Sequence, residues 1–344
     1  MGLCASSDAS ETKGRDKNIA YMIGEEGSSR FDSEKGVARL ASLYSRQGTK
    51  GPNQDSAVLY KGFGSEDSVF CGVFDGHGRK GHMVSRAVRD ALPSLILRHR
   101  GVDNAYDSSD CDDMSLFDGW LSSASSSPEL FDEWKEVCIS AFKAMDKELE
   151  FHPSLNSFHS GTTAVTVIKQ GNDLIISNLG DSRAVLGTVS EEGHLKPVQL
   201  TTDLKPSLPH EADRIRKNNG RVFALRDQPD VQRVWLPDTN FPGLAMARAF
   251  GDFELKNYGV IAIPQVSYRR LRDRDLFVVL ATDGIWDVLS NDRVVEIVWR
   301  SFLKRKEPSK EVVKAAVRAW KRKHPDHRVD DCSAACIFFD DRLQ

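Results

Sequence analysis

The chain has few of the features that mark secreted, membrane-spanning or nucleic-acid-binding proteins. It has six cysteines in 344 residues (Cys4, Cys71, Cys111, Cys138, Cys332 and Cys336), with no CxxC pair. No charged-then-apolar leader opens it, so reduced thiols inside a cell are expected, not a disulfide framework. Long apolar runs are missing, and a stretch such as 276–281 is far too short to cross a bilayer. An excess of either charge is missing too. Lys and Arg number 47 against 50 Asp and Glu, for a net charge of −3, which argues against a dedicated nucleic-acid binder. What is present is 40% hydrophobic and 28% charged residues, the balance of a folded, soluble core. The length exceeds the roughly 100–200 residues of an ordinary domain.

The sequence opens Met-Gly-Leu-Cys-Ala-Ser, which fits N-myristoylation of Gly2, with Cys4 placed for a second acyl chain. One myristoyl chain holds a bilayer only marginally, so two signals make an anchor. Residues 1–34 are polar and rich in Ser and Gly, and a flexible, lipidated tether is expected there. One catalytic domain is expected over 35–342, with an acidic Ser/Asp-rich insertion near 101–127. Short Val-, Ile- and Phe-rich runs at 68–74, 162–168, 174–179, 184–186, 276–281 and 333–339 predict strands. Apolar residues at helical spacing predict helices over 82–98, 128–150, 291–302 and 309–321.

Carboxylates collect at the ends of these strands. The run 68–74 leads into Asp75-Gly76-His77-Gly78, and 276–281 leads through Thr282 into Asp283-Gly284-Ile285-Trp286-Asp287. The run 174–179 leads into Gly180-Asp181-Ser182-Arg183, and Asp330-Asp331 opens the last strand. Any one Asp-Gly turn is ordinary. Four converging carboxylates would repel unless cations neutralise them, and carboxylates with main-chain carbonyls suit Mg²⁺ or Mn²⁺ better than zinc.

In this order the motifs resemble metal-dependent protein serine/threonine phosphatases of type 2C, in their plant, lipid-anchored form. The match spans about 37–339 and includes Gln47-Gly-Thr-Lys-Gly-Pro-Asn-Gln-Asp55, Val73-Phe-Asp-Gly-His-Gly78 and Ser160-Gly-Thr-Thr-Ala164. It continues through Asn178-Leu-Gly-Asp-Ser-Arg183, Leu244-Ala-Met-Ala-Arg-Ala-Phe-Gly-Asp252, Thr282-Asp-Gly-Ile-Trp-Asp287 and Asp330-Asp331. The resemblance implies an α+β, four-layer α-β-β-α sandwich of two mainly antiparallel sheets flanked by helices. It implies two Mg²⁺ or Mn²⁺ per subunit. Asp75 would bridge them, the Gly76 carbonyl would ligate one, and Asp283 and Asp331 would hold the other. Asp55 would orient metal-bound waters, and Asp181 with Asp283 would support a weaker third ion. Phosphoserine and phosphothreonine in proteins would be hydrolysed by a metal-activated water, with His77 as general acid.

The same resemblance implies phosphoprotein substrates, kinases as partners and a negative role in plant signalling. It also implies a monomer held by N-terminal acylation at the cytoplasmic face of the plasma membrane, with cytoplasm or nucleus as further locations. Gln54 precedes Asp55 where animal relatives often carry an acid. Lys50 stands where many relatives grip phosphate with arginine, and it offers a point charge in place of a planar fork. Cys332 is read as replacing an asparagine. Gln54 suits the plant pattern, whereas Lys50 and Cys332 keep open a silent phosphosite-binding module, and a phosphatase of small esters is a third reading.

Other patterns carry less. Cys336-x5-Arg342 has thiol-phosphatase spacing but lies in an apolar strand without a glycine cradle. Asp273-Arg-Asp275 precedes its strand and reads as a solvated turn. Arg183 and Arg248 read as structural ion-pair partners, and Trp286 and Trp299 as core. His82, His99, His152, His159 and His194 show no ligand spacing. The basic runs 304–306 and 321–323 read as solvated helix faces. Trp235, in 230–242, reads equally as an exposed anchor for partners or as a residue packing its own loop.

Overall fold

The computed structural model describes residues 19–23, 41–101, 127–152, 154–323, 325 and 328–339. The chain begins with β1 (Ile19–Ile23), β2 (Ala41–Arg46), β3 (Asp55–Lys61) and β4 (Ser68–Gly78), followed by α1 (Gly81–His99) and α2 (Ser127–Glu150). Next come β5 (Ser160–Thr162), β6 (Ala164–Gln170), β7 (Asp173–Leu179), β8 (Arg183–Val189) and β9 (Leu195–Gln199). Then follow α3 (Pro209–Lys217), β10 (Arg221–Ala224), β11 (Gln232–Trp235), β12 (Pro242–Leu244), β13 (Phe250–Gly251) and α4 (Phe253–Lys256). The last elements are β14 (Gln265–Arg270), β15 (Asp275–Ala281), α5 (Asp283–Trp286), α6 (Asn291–Leu303), α7 (Pro308–Lys323) and β16 (Cys332–Phe338).

Two sheets form the centre. One runs β1-β3-β4-β6-β7-β14, with β5 pairing the C-terminal end of β4 and β13 pairing β5, and the other runs β2-β16-β15-β8-β9. Their facing sides share an apolar layer in which Leu59, Val73, Val167 and Ile176 meet Leu43, Val278, Leu280 and Ile337. The outer face of the first sheet packs through Phe70, Phe74 and Ile168 against Leu92 and Ile96 of α1 and Trp134 and Phe142 of α2. The outer face of the second packs through Phe277, Val279 and Phe338 against Val294 and Val298 of α6 and Val312 and Val313 of α7. The expected four-layer α-β-β-α sandwich is therefore observed. It explains why β15 and β16 are buried at every residue, with no polar alternation. Each is covered on both faces, and such strands read as continuous apolar runs.

The differences from the sequence reading lie at the edges. The strand expected over 68–74 continues to Gly78, so Asp75-Gly76-His77-Gly78 is strand and not a loop. The strand expected over 162–168 breaks at Thr163 into β5 and β6. Within the segment expected to be a tether, Ile19–Ile23 forms β1 and pairs in parallel with β3. Gly2, Cys4, Cys111 and residues 102–126, most of the expected insertion, lie outside the described residues. Among the described residues no helix is long and apolar enough to cross a membrane.

Candidate active site

The acidic residues meet where strands of both sheets end. Asp55 opens β3 and stands opposite Asp75 in the antiparallel register with β4. Asp283 follows β15, and Asp330 and Asp331 precede β16, which pairs with β15. Asp181 lies between β7 and β8. Strand pairing within each sheet and the packing of the two sheets thus draw together residues more than 250 positions apart.

The main chain around Asp75 is fixed by Thr163, which interrupts β5 and β6 there. The Asp75 amide donates to Thr163 Oγ1 at 3.1 Å, and the Thr163 amide donates to the Asp75 carbonyl at 2.9 Å. Gly76 lies so close to the start of α1 that a Cβ would fall 2.4 Å from the Gly81 carbonyl oxygen and 2.6 Å from that of Gln54. A side chain is excluded here by packing, which is a stronger reason than the metal access expected from sequence. At Gly284 the constraint is tighter still, since a Cβ would lie 1.9 Å from the Asp331 carbonyl oxygen.

The carboxyl groups of Asp75 and Asp283 share a hydrogen bond, and the pKa values of both lie well above the usual carboxylate range. Burial and then the Asp283 charge raise Asp75, while burial and then the charges of Asp181, Asp287 and Asp330 raise Asp283 against the opposing effect of its bond to Asp75. The Asp330 charge adds to the rise at Asp75 and at Asp283. Asp287, the last residue of the Asp-Gly-Ile-Trp-Asp motif, is raised by burial and by the charges of Asp330 and Asp203, against the opposing pull of Lys205. Asp181 is raised mainly by burial, and its Oδ2 lies 3.7 Å from Lys205 Nζ. Asp55 is 1% exposed and is pushed up to about 8 by burial and then by the Asp331 charge. Thr282 donates to Asp55 Oδ2 at 2.9 Å and holds that side chain in place.

Asp331 behaves differently from its neighbour. Its Oδ1 accepts the Gly48 amide at 2.7 Å and its Oδ2 accepts the Gln54 amide at 2.8 Å. Both oxygens are occupied in tying the 48–54 loop to β16. Asp330 reaches Lys50 Nζ and acts on Asp75, Asp283 and Asp287. The sequence reading chose Asp331 from this pair; both of its oxygens accept main-chain amides, whereas the Asp330 charge acts on Asp75, Asp283 and Asp287.

His77 lies on β4, two residues beyond Asp75, and its Nε2 meets Asp252 Oδ2 at 2.6 Å. Burial alone would lower the His77 pKa, but the Asp252 charge and hydrogen bond reverse that and hold it above its ordinary value. Asp252 closes a motif quoted from the sequence, yet nothing local marks it as the partner of His77. Asp330 and Asp287 were likewise visible, but with no signal to choose them over Asp331 and Asp283.

The remaining candidates are structural. Arg183 pairs with Asp203 at 2.6 Å and donates to Asn291 at 2.8 Å. Arg248 donates through Nε and Nη2 to both oxygens of the fully buried carboxylate of Glu211. Asp275 is buried and paired with Arg269 at 3.1 Å, so it is not a solvated residue as expected. Burial pushes the Cys336 thiol up to about 12, the reverse of what a nucleophile needs, and Arg342 lies outside the described residues. Trp235 is 4% exposed and stacks on Phe223, and its indole donates to the Phe223 carbonyl at 3.0 Å. Of the two readings of Trp235, the packing one holds.

The donor set suits hard divalent cations. Buried Asp55 Oδ1 and Asp181 Oδ1 have no hydrogen-bond partner, and burial, with neighbouring negative charge second, raises the carboxyl pKa values, a cost that a cation would relieve. Among the described residues no three His, Cys, Asp or Glu side chains already enclose one ion-sized position. Mg²⁺ does not require that, since it is usually held by one or two carboxylates and keeps several waters.

Comparison with known proteins agrees with this geometry. The family model described as Protein phosphatase 2C matches residues 41–323. The chain is 53% identical to "Probable protein phosphatase 2C 12" of Oryza sativa subsp. japonica, across 99% of this chain and 92% of that one. It is 46% identical to "Probable protein phosphatase 2C 72" of Arabidopsis thaliana, across 100% and 99%. The crystal structure of serine-threonine phosphatase 2C from Toxoplasma gondii superposes with a TM-score of 0.75 at 26% identity, over 87% of this chain and 94% of that one. The chain therefore belongs to the protein phosphatase 2C family, the Mg²⁺- or Mn²⁺-dependent serine/threonine protein phosphatases.

Proposed function

We propose that this chain hydrolyses phosphoserine and phosphothreonine in proteins at a binuclear centre, and that it acts as a negative regulator in plant signalling. The observation that carries the reading is the buried Asp75–Asp283 carboxyl pair, on which the Asp330 charge acts and whose charges need counter-ions. Asp75, the Gly76 carbonyl, Asp283 and Asp330 would hold the two ions, with Asp330 taking the place expected of Asp331. Asp55 would orient water, and Asp181 with Asp287 would border a weaker third site. Bound there, Mg²⁺ or Mn²⁺ supplies Lewis acidity, lowering the pKa of water and neutralising phosphoryl oxygens.

The chain's own residues do the rest. Lys50, held by Asp330, places one positive charge at the mouth of the cluster, where a phosphate dianion needs it. Asp252 fixes the His77 ring through Nε2 and favours its protonated form. The protonated ring is then the group that delivers a proton to the departing serine or threonine oxygen, a strongly basic leaving group. A silent binding module would not need that imidazole–carboxylate pair.

The test is phosphate release from a phosphothreonine peptide together with Mn²⁺ counted by electron paramagnetic resonance. Two ions per chain and loss of turnover in EDTA are expected. One ion, or turnover that survives EDTA, would contradict the binuclear reading.

The opening Met-Gly-Leu-Cys supports acylation at Gly2 and Cys4, and so a place at the cytoplasmic face of the plasma membrane. Mass spectrometry of the mature N-terminus tests this, and an unmodified Gly2 in cells with active acyltransferase would end it.

A further inference from the structure

Few large apolar side chains stand in the open on the described surface, and two of them flank one imidazole. Phe158 is 52% exposed and Phe241 46%. The His159 ring lies edge-on to both, 4.8 Å from Phe158 and 5.6 Å from Phe241. Phe158 and His159 come from the turn entering β5, and Phe241 from the loop between β11 and β12.

This patch is continuous with the active site. In β5, Gly161 pairs with His77 and Ser160 with Gly78. The His159 carbonyl oxygen lies 2.4 Å from where a Cβ on Gly78 would sit. The Glu254 amide donates to the Phe158 carbonyl at 3.2 Å, and His159 Nδ1 meets the Glu254 carboxylate at 2.9 Å. Those bonds tie the turn to the segment that carries Asp252.

The substrates of this family are polypeptides, so a phosphoresidue at His77 brings flanking chain across the neighbouring surface. A chain spans at most about 3.3–3.6 Å per residue, and Phe158 lies three positions before Gly161, so the patch begins within roughly 10 Å of the residue that pairs with His77. We propose that Phe158, His159 and Phe241 form an aromatic docking surface for the protein substrate itself. It takes an apolar side chain roughly three residues from the phosphoserine or phosphothreonine, with the His159–Glu254 pair as its polar rim. The proposal rests on the reading of Asp75 and His77 as the catalytic centre. Trp235, the aromatic residue singled out in the sequence, is packed down and offers no such face.

The test uses the full chain with Mn²⁺ and four probes. Two are phosphothreonine peptides carrying Phe three residues before or three residues after the phosphoresidue. The third, their control, has Ser at both places, and the fourth is the tripeptide Gly-phosphothreonine-Gly. The wild-type chain is expected to favour one Phe peptide over the Ser control by about tenfold in kcat/KM. Phe158→Ser and Phe241→Ser should each bring that ratio toward one, with cooperative melts retained because both side chains are exposed. Phe158→Leu, which keeps apolar area, should preserve most of the preference. A wild-type ratio of one, or a ratio unchanged in both Ser variants, overturns the docking surface while turnover of the tripeptide leaves the catalytic reading intact. No tripeptide turnover by the wild-type chain overturns both. Should gel filtration show a dimer that the Ser variants dissolve, with the peptide ratio unchanged, the patch joins two copies and the proposal is overturned.

Discussion

His77 Nε2 and Asp252 Oδ2 lie 2.6 Å apart although 175 positions separate them in the chain. The first residue sits on β4 beside the acidic cluster, and the second closes the turn after β13. Their pairing favours the protonated imidazole beside the site's anions. His77→Ala is expected to lower kcat on a phosphothreonine peptide by about 10²–10⁴-fold. It should cost far less on an aryl phosphate, whose leaving oxygen needs no proton. Asp252→Asn should show the same selectivity at smaller amplitude. Equal losses on both substrates would count against proton delivery by His77.

Asp330 and Asp331 should separate cleanly when changed. Asp330→Asn removes a charge that acts on Asp75 and Asp283, so Mn²⁺ affinity should fall at least tenfold while the fold persists. Asp331→Asn weakens an acceptor of two main-chain amides, and about 1–3 kcal/mol of stability should be lost. Calorimetric Mn²⁺ titration and chemical denaturation of both variants decide the matter. The opposite pattern would restore Asp331 as the ligand.

Metal removal should make stability depend on pH in a stated direction. The folded-state pKa of Asp55 is raised to about 8, and those of Asp75 and Asp283 are also raised, from a reference of 3.8. Groups shifted upward favour the fold while protonated, and that contribution is lost as pH rises through the folded-state values. In EDTA, the thermal midpoint should therefore rise as pH drops from 8.5 to 6. Saturating Mn²⁺ should flatten this slope and add about 2.7 kcal/mol at a hundredfold excess over its Kd.

Glu211 has the opposite sign. Burial would raise its pKa, but hydrogen bonds from Arg248 and Arg214 override that and hold it below the reference of 4.5. Its contribution is present above that reference and fades as pH falls through the folded value. Glu211→Gln should remove this acid-side loss. Arg248→Ala leaves a fully buried carboxylate with fewer partners and should cost about 3–5 kcal/mol, read by urea denaturation.

Much of the fold was legible because its strands are buried on both sides. Runs such as 276–281 and 333–339 need no alternation to declare themselves, and their neighbours fix the helices by period. The edges were less readable. The strand carrying Asp75-Gly76-His77-Gly78 looked finished at Phe74 because Asp-Gly usually turns, and only its pairing with Asp55 and β5 extends it. The gathering of carboxylates at sheet ends was legible from motif order. The choice between Asp330 and Asp331 was not, because it depends on the amides of Gly48 and Gln54, which are remote in sequence. Trp235 was ambiguous for the same reason, since its stacking partner Phe223 lies across a strand pair.

The central claim is that Asp75 belongs to a metal centre that performs the hydrolysis. Phosphate release from a phosphothreonine peptide, compared between the wild-type chain and Asp75→Asn over a Mn²⁺ titration, addresses it most directly. A folded Asp75→Asn protein with turnover at least a hundredfold lower and weakened Mn²⁺ binding is expected. The same turnover as the wild-type chain at every Mn²⁺ concentration would contradict the account.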